Sequence, residues 1–582
     1  MGSGASVQAQ STETRRLDSW KEIAAYLNRD VTTVQRWEKR EGMPVYRHVH
    51  DKRGSVYAVP AELDAWREQR RPQLEEQGEE LEAGEQVPSR SSTARVWWVV
   101  AVVVVCAALA GGYVAWRGQA KVSAGPQIRS VAVLPLRNLS GDPSQDYLAD
   151  GITEELIGKL AGIRELRVIS HTSVMRFKDP KQTAPEIAKA LGVDALVEGS
   201  VVRDGSRIRV TAQLIRGATD THFWSETYDR EMSDALTLES ELAQAIAEKV
   251  RVTVTGEEQQ RLTATRAVAP EVYESYLKGM YAGGGRAGLE KSIGYFQDAI
   301  QRDETFAPAY VGLAEAYTKL GTVLAGGSPA ETRPKVMSAA RKAIELDPDL
   351  AVAHALLGNA LQEQWQWAAA ETEYKRALEL QPNNASAHSW YALWLSCQGR
   401  SDEAVEWVRR ARELDPVSIS GGSVAWILFQ AHRFDEAIRE AQDMLAVRPD
   451  DPGVLTTLGF ALLGKGQAEE AIPVLEKADA LSNGSPATEG ILVRAYARGG
   501  RREDALRLLE KLKKKREAGY FPAGAFVNAY LGLGDKKQTF VWLEQAYKEQ
   551  SNILQFVKTH PFFDPIRSDA RFVDLERRVG LG

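Results

Sequence analysis

Near the amino terminus several side chains have the types and spacing to grip a nucleic acid. Gln35 and Arg36 stand side by side in DVTTVQRWEKR. Glutamine can bond adenine, and arginine guanine, through the major groove. Thr32 and Thr33 lie just before them, Lys39 and Arg40 just after. Arg29, Lys39, Arg40, Lys52 and Arg53 are suited to phosphate oxygens, which position a protein on a duplex without reading its sequence. Residues 15–71 carry 13 Lys or Arg against 9 Asp or Glu, a basic excess concealed in a chain of 582 residues with net charge −6. The plain alternative is that these charges only face water. His48 and His50 have no cysteine and no third ligand beside them, so neither a metal nor a cofactor is expected.

Those side chains share one surface only if short elements hold them there. Ser19 with Glu22 three residues later predicts a capping box and a helix that buries Ile23, Ala24 and Leu27. Asp30 then caps a second helix, with Val31, Val34 and Trp37 inward and Thr32, Thr33, Gln35, Arg36, Lys39 and Arg40 outward. After Gly42-Met43-Pro44, alternation at Val45, Arg47 and Val49, a turn at Asp51 to Gly54 and a return over Val56 to Val59 predict a hairpin with Lys52 and Arg53 at its tip. Pro60 opens a third helix whose Leu63 and Trp66 close the core. Residues 15–71 thus resemble the winged helix-turn-helix of the MerR and excisionase type. The resemblance implies double-stranded DNA as partner, with Gln35 and Arg36 at base edges and Lys52 and Arg53 on the wing.

Residues 72–89 hold six Glu and no basic residue, so 72–95 reads as an acidic linker. The uncharged run 96–116 would form a helix about 31 Å long, which matches the hydrocarbon core of a bilayer. Trp97, Trp98, Tyr113 and Trp116 stand where interfacial aromatics belong, and a single transmembrane helix is expected. Basic residues flank both ends, so charge leaves the orientation open. A DNA reader would fix the amino terminus in the cytoplasm of a bacterium and the rest in the periplasm, making a single-pass inner-membrane protein. Ala107 with Gly111 and Ala108 with Gly112 would permit close helix contact in a homodimer. Two cysteines, Cys106 and Cys397, exclude a disulfide framework.

From 128 to 255 strand and helix patterns alternate, predicting an α/β module with a small mixed sheet and a hairpin at Asp204-Gly205. The phrases VAVLPLRNLSGDP, YLADGITEELIGKL, VISHTSVMRFK and ALVEGSVVRDGSRIRVTAQLI resemble the TolB amino-terminal-like, or FlgO-like, domain. That resemblance implies a binding or assembly module. His171, Asp142 and Asp146 are its tempting polar residues, but spacing assembles no nucleophile, base and orienter from them.

The second half is periodic. Gly358, Ala392, Ala425 and Gly459 are separated by 34, 33 and 34 residues, and Ala370, Ala404, Ala437, Ala471 and Ala505 by 34, 33, 34 and 34. Pro348, Pro382, Pro416 and Pro449 form a third ladder, ending each unit. Each unit reads as a helix pair in which small residues allow close approach while Tyr374 and Trp407 fill the seam. The pattern resembles the tetratricopeptide repeat over 270–555, about eight units, with 556–582 as a cap on the last apolar face. Ala325 to Pro334 reads as an insertion, and GGGRAG follows a helix rather than a strand, against dinucleotide binding. The resemblance implies a protein or peptide ligand.

The expected fold class is multidomain: a small winged helix-turn-helix, one transmembrane helix, an α/β module with a small mixed sheet and an all-α tetratricopeptide solenoid. This order resembles membrane-integrated one-component transcription regulators. The alternative is an envelope scaffold that assembles protein partners through the array, with the amino-terminal module binding protein instead of DNA. With no P-loop, HExxH, GxSxG or kinase set in the chain, no enzyme is expected.

Overall fold

The Asp30 carboxylate accepts from the Thr33 N–H at 2.8 Å and starts a helix, the most sharply specified start in the first of two compact units, 1–123 and 124–582. The structure, a computed structural model, describes residues 16–47, 56–68, 128–178, 181–283, 285–322, 328–417, 420–519 and 521–582. In the first unit α1 (Trp20–Tyr26) is capped by Ser19, whose Oγ accepts from the Glu22 N–H at 3.2 Å. Glu22 reaches back to the Asp18 N–H at 2.8 Å rather than to that of Ser19, so the box is shifted by one residue. α2 (Val31–Glu41) ends at Gly42 with φ +66°, a left-handed conformation that glycine adopts without strain. β1 (Tyr46–Arg47) pairs antiparallel with β2 (Val56–Tyr57), and α3 (Pro60–Glu68) follows. Ile23, Ala24, Leu27, Val34, Met43, Val56, Ala58 and Leu63 form the core, with Trp37 and Trp66 packed at its edge at a centroid distance of 5.8 Å.

One expectation is corrected. Among the described residues no helix is long and apolar enough to cross a membrane, and the run 96–116 lies outside the described residues. The described fold is mostly helical and has no spanning element, so the fold class with a transmembrane helix does not stand. The placement in the inner membrane, with a cytoplasmic amino terminus and periplasmic modules, rested on that helix and is withdrawn with it. The small-residue pairs at 107–112 and Cys106 also lie outside the described residues.

The second unit begins with β3 (Ser130–Val133), β4 (Arg137–Asn138), α4 (Asp146–Ala161), β5 (Arg167–Val168), α5 (His171–Val174) and α6 (Ala184–Leu191). Then come β6 (Ala195–Asp204), β7 (Arg207–Arg216), β8 (Thr221–Glu231), α7 (Ala235–Val250) and α8 (Gly256–Thr263). Strand order is β5-β3-β6-β7-β8, with β4 also on β6; pairs within β3 to β6 are parallel and the two long hairpins antiparallel. All four residues of β3 are buried, as a parallel strand covered on both faces requires. The β6–β7 turn is Gly205-Ser206, with Gly205 at φ +60° and Asp204 paired to Arg207.

Sixteen helices in eight antiparallel pairs follow among the described residues. They are α9 (Pro270–Tyr281) with α10 (Gly285–Arg302), α11 (Ala307–Leu320) with α12 (Pro329–Leu346), α13 (Ala351–Glu363) with α14 (Trp367–Leu380), and α15 (Ala385–Cys397) with α16 (Ser401–Leu414). Next are α17 (Ser420–Gln430) with α18 (Phe434–Val447), α19 (Pro452–Gly464) with α20 (Ala468–Leu481), α21 (Pro486–Arg498) with α22 (Arg502–Ala518), and α23 (Ala523–Leu533) with α24 (Lys536–Lys548). The small-residue ladder lies where paired helices touch: a Cβ on Gly358 would stand 2.9 Å from the Tyr374 ring, and one on Gly459 2.4 Å from Leu475. Pro334, which reads as part of an insertion, sits inside α12; residues 323–327 lie outside the described residues.

The α/β module and the array are joined by buried and half-buried hydrogen bonds. Gln381 Nε2 donates to Gly158 O at 3.0 Å, the Ser170 N–H to Leu414 O at 2.9 Å, and Ser173 Oγ pairs with Asp415. Beyond α24, residues 552–566 run in two short 3-10 turns before α25 (Ala570–Val579). α25 covers the last pair, with the Arg571 guanidinium 3.8 Å from the Phe540 ring centroid and Arg578 paired to Glu544. The segment before it does more than cap, since it reaches as far back as the third pair.

Candidate functional site

In a stack of helix pairs the crowded layer lies at the smaller radius. The first helix of each pair packs on the first helix of the next, from α9 to α23, so these helices form the inner wall. Residues 552–566 lie on that wall. Gln362 on α13 donates from Nε2 to Gln555 Oε1 at 2.9 Å and accepts at Oε1 from the Tyr374 hydroxyl at 2.9 Å. Trp426 on α17 meets Phe556 edge-on at 5.5 Å. Phe562 stacks on Phe460 of α19 at 5.6 Å and 18°, and stands edge-on to Phe429 of α17 at 5.4 Å and 73°. The Arg494 guanidinium of α21 lies over the same ring, 3.7 Å from its centroid. Leu554, Val557, Phe562, Phe563 and Ile566 are all buried there.

His560 is fully enclosed by this aromatic set. Burial, with Arg494, Arg567 and His432 nearby, drives its pKa well below the usual imidazole value. Its Nδ1 accepts from the Phe562 N–H at 3.3 Å, so the neutral ring carries its proton on Nε2. The array also closes on itself at this end. Trp367 Nε1 donates to Val579 O at 2.8 Å, Arg333 Nη1 to Gln550 Oε1 at 3.1 Å, and Trp365 stacks on Tyr547 at 5.2 Å.

Sequence reasoning passed over this wall. Trp426, Phe460 and Arg494 occupy equivalent repeat positions, separated by 34 and 34 residues, the first two immediately after Ala425 and Gly459 of the small-residue ladder. A cation standing where the two preceding repeats place aromatics was a readable signal.

On α2, Thr32, Arg36, Lys39 and Arg40 are exposed, while Gln35 and Thr33 are half-buried. The Thr33 hydroxyl donates to Asp30 Oδ2 at 2.7 Å and is engaged in the helix cap. Arg36, Lys39 and Arg40 form no ion pair among the described residues, whereas Arg47 is tied to Glu38 at 3.0 Å. Arg29 donates to its neighbour's carbonyl, Asn28 O, at 3.1 Å. Lys52, Arg53, His48 and His50 lie outside the described residues. In the α/β module Asp142 caps a 3-10 turn, Asp146 accepts from Asn138 Nδ2 at 2.9 Å, and His171 Nδ1 stands 4.0 Å from Glu154. These are structural positions. Glu239, fully buried under α9, accepts a hydrogen bond from the Tyr273 hydroxyl, and burial raises its pKa.

Part of the array consists of tetratricopeptide repeats: that family matches residues 355–419, 425–486 and 462–518. Among curated proteins, "Putative adenylate cyclase 3" of Rhizobium meliloti (strain 1021) is 39% identical over 157 residues, 27% of this chain and 27% of that protein. The chain thus spans about a quarter of the length of the curated relative it matches. Similar solved structures include a tetratricopeptide repeat protein from Parabacteroides merdae, 14% identical, covering 43% of this chain and 98% of that one at a TM-score of 0.32. A thermophilic tetratricopeptide protein of Thermus thermophilus is 18% identical, covering 33% of this chain and 99% of that one at 0.28.

Proposed function

We propose that the protein is a scaffold that gathers protein partners through its tetratricopeptide array. The observation that carries this reading is the continuous inner wall of first helices, deep enough to bury a stretch of polypeptide that runs in 3-10 turns. Residues 128–255, with their likeness to the TolB amino-terminal-like domain, extend the assembly surface through the hydrogen bonds that fix them to the array. The scaffold is non-catalytic: stacked helix pairs position partners and supply no reacting group. The likeness to a cyclase by name covers a quarter of that protein, and the name's activity belongs to the whole.

A second reading concerns the first unit alone. Exposed Arg36, Lys39 and Arg40, without ion-pair partners among the described residues, favour an anionic surface, and the likeness to a winged helix-turn-helix makes double-stranded DNA the candidate. Crosslinking the full chain in cells, then identifying both bound DNA and bound peptides, separates the readings when done beside the Arg36→Ala, Lys39→Ala double variant. A scaffold gives protein crosslinks on 270–548 that survive in the variant. Enriched DNA sites lost in the variant establish the second reading, and an array without protein crosslinks overturns the first.

A further inference from the structure

The inner wall holds one charge that the chain's own segment leaves unsatisfied. Arg494 is 7% exposed, its Nη1 is buried without a hydrogen-bond partner, and no carboxylate pairs with it among the described residues. Its counterpart is the face of Phe562. A ring quadrupole attracts a cation, but in a low-dielectric site an uncompensated charge remains costly until an anion meets it. The nearest acid along the segment, Asp564, is engaged elsewhere: it accepts from Arg567 Nε at 2.8 Å and lies 3.9 Å from His432 Nδ1. One repeat beyond Arg494, at the equivalent position, Asn528 also has a buried Oδ1 without a partner.

The segment otherwise behaves as a ligand of the wall. It lies there as 3-10 turns, touches α13, α17, α19 and α21 through side chains, and offers the Thr559 carbonyl to His432 Nε2 at 3.3 Å. Only a short link separates it from α24, so its effective concentration at the wall is high. A separate molecule competes with it only by making an interaction that the segment lacks.

Resting on the scaffold reading, we propose that residues 552–566 hold the inner wall shut as an internal ligand. The partner that displaces them presents an aromatic side chain next to a carboxylate, ring in the Phe429–Phe460 slot and anion on Arg494. The partner is therefore an acidic, aromatic peptide segment, and binding releases the carboxy-terminal segment.

The test uses the full chain and two fluorescein-labelled decapeptides in anisotropy titrations. One copies residues 557–566; the other carries Asp in place of the phenylalanine that copies Phe563. The acidic peptide is expected to bind about tenfold tighter than the copy, a charge-assisted gain that Arg494→Met removes. Phe562→Ala, which weakens the internal competitor, is expected to tighten the acidic peptide about tenfold further. Hydrogen exchange on the unaltered chain supplies a readout independent of whether either variant folds: the acidic peptide should raise exchange in 552–566. Equal affinity of the two peptides, or no change in exchange, overturns the proposal. Should protein crosslinks on 270–548 persist alongside that result, the scaffold reading stands and only the self-occupied wall fails; should they vanish as well, both fail.

Discussion

Asn383, between α14 and α15, donates from a single amide nitrogen to the carbonyl oxygens of Ile163 at 2.8 Å and Leu166 at 2.9 Å. The array thereby satisfies the loop that leads into β5, and Asn383 is itself 4% exposed. Replacing it by Ala leaves two carbonyls without this donor in a dry contact. A loss of about 1–3 kcal/mol in global stability is expected, because Leu166 O loses its donor while Ile163 O keeps the Leu166 N–H at 3.3 Å. Urea unfolding should show it, with faster hydrogen exchange confined first to 163–168.

Gly490 on α21 faces α23 so closely that a Cβ would stand 2.7 Å from both the Cα and the carbonyl oxygen of Ala525. These are backbone atoms and cannot swing aside. Gly490→Ala should cost about 1–3 kcal/mol by forcing the two first helices apart. A denaturant midpoint equal to that of the unaltered chain would refute this.

Tyr374 is fully buried, and its hydroxyl holds the Gln362 amide that reaches Gln555. Tyr374→Phe should cost about 1–2 kcal/mol because the Gln362 acceptor is left unpaired, whereas Tyr374→Ala should cost about 3–5 kcal/mol by adding a cavity. The pair of variants, compared by thermal unfolding, separates the hydrogen bond from the packing.

In the first unit, Asp30→Ala removes the acceptor for the Thr33 N–H and hydroxyl. A loss of about 1 kcal/mol is expected. Circular dichroism of the full chain is dominated by the array, so amide exchange within 31–41 is the measurement to make.

His560 makes the protein acid-sensitive. Its folded pKa lies well below 6.5, held there first by burial and then by Arg494, Arg567 and His432, so the folded chain refuses a proton that the unfolded chain accepts. The contribution is fully present above 6.5 and is lost as pH falls toward the folded value. The slope reaches at most about 1.4 kcal/mol per pH unit for one proton. His560→Asn, which keeps an acceptor for the Phe562 N–H, should flatten the fall in melting temperature between pH 6.5 and 5. His388, also depressed by burial, to about 4, stays in both proteins, so the slopes are compared and not the absolute stabilities.

Local chemistry was legible from the residues alone. Asp30 as a cap, Val34 and Leu63 as core, and the 33- and 34-residue ladders all follow from interactions within one helix or between neighbours in a repeat. Periodicity of that kind repeats the same contact many times, so a pattern exposes it. The seam between Gly358 and Tyr374 belongs to this class.

Tertiary structure alone decided where the carboxy-terminal segment goes. HPFFDPIRSD reads as a cap because nothing in its local pattern distinguishes the last helix from the inner wall. Its seat is settled by contacts such as Gln362 with Gln555, 193 residues apart, and Arg494 with Phe562. Likewise Asn383 reads as an ordinary loop residue until the α/β module brings the carbonyls of Ile163 and Leu166 to it. Hydrophobic patterning states that a side chain will be buried; which surface buries it depends on how the stacked pairs curve, and no single repeat encodes that curvature.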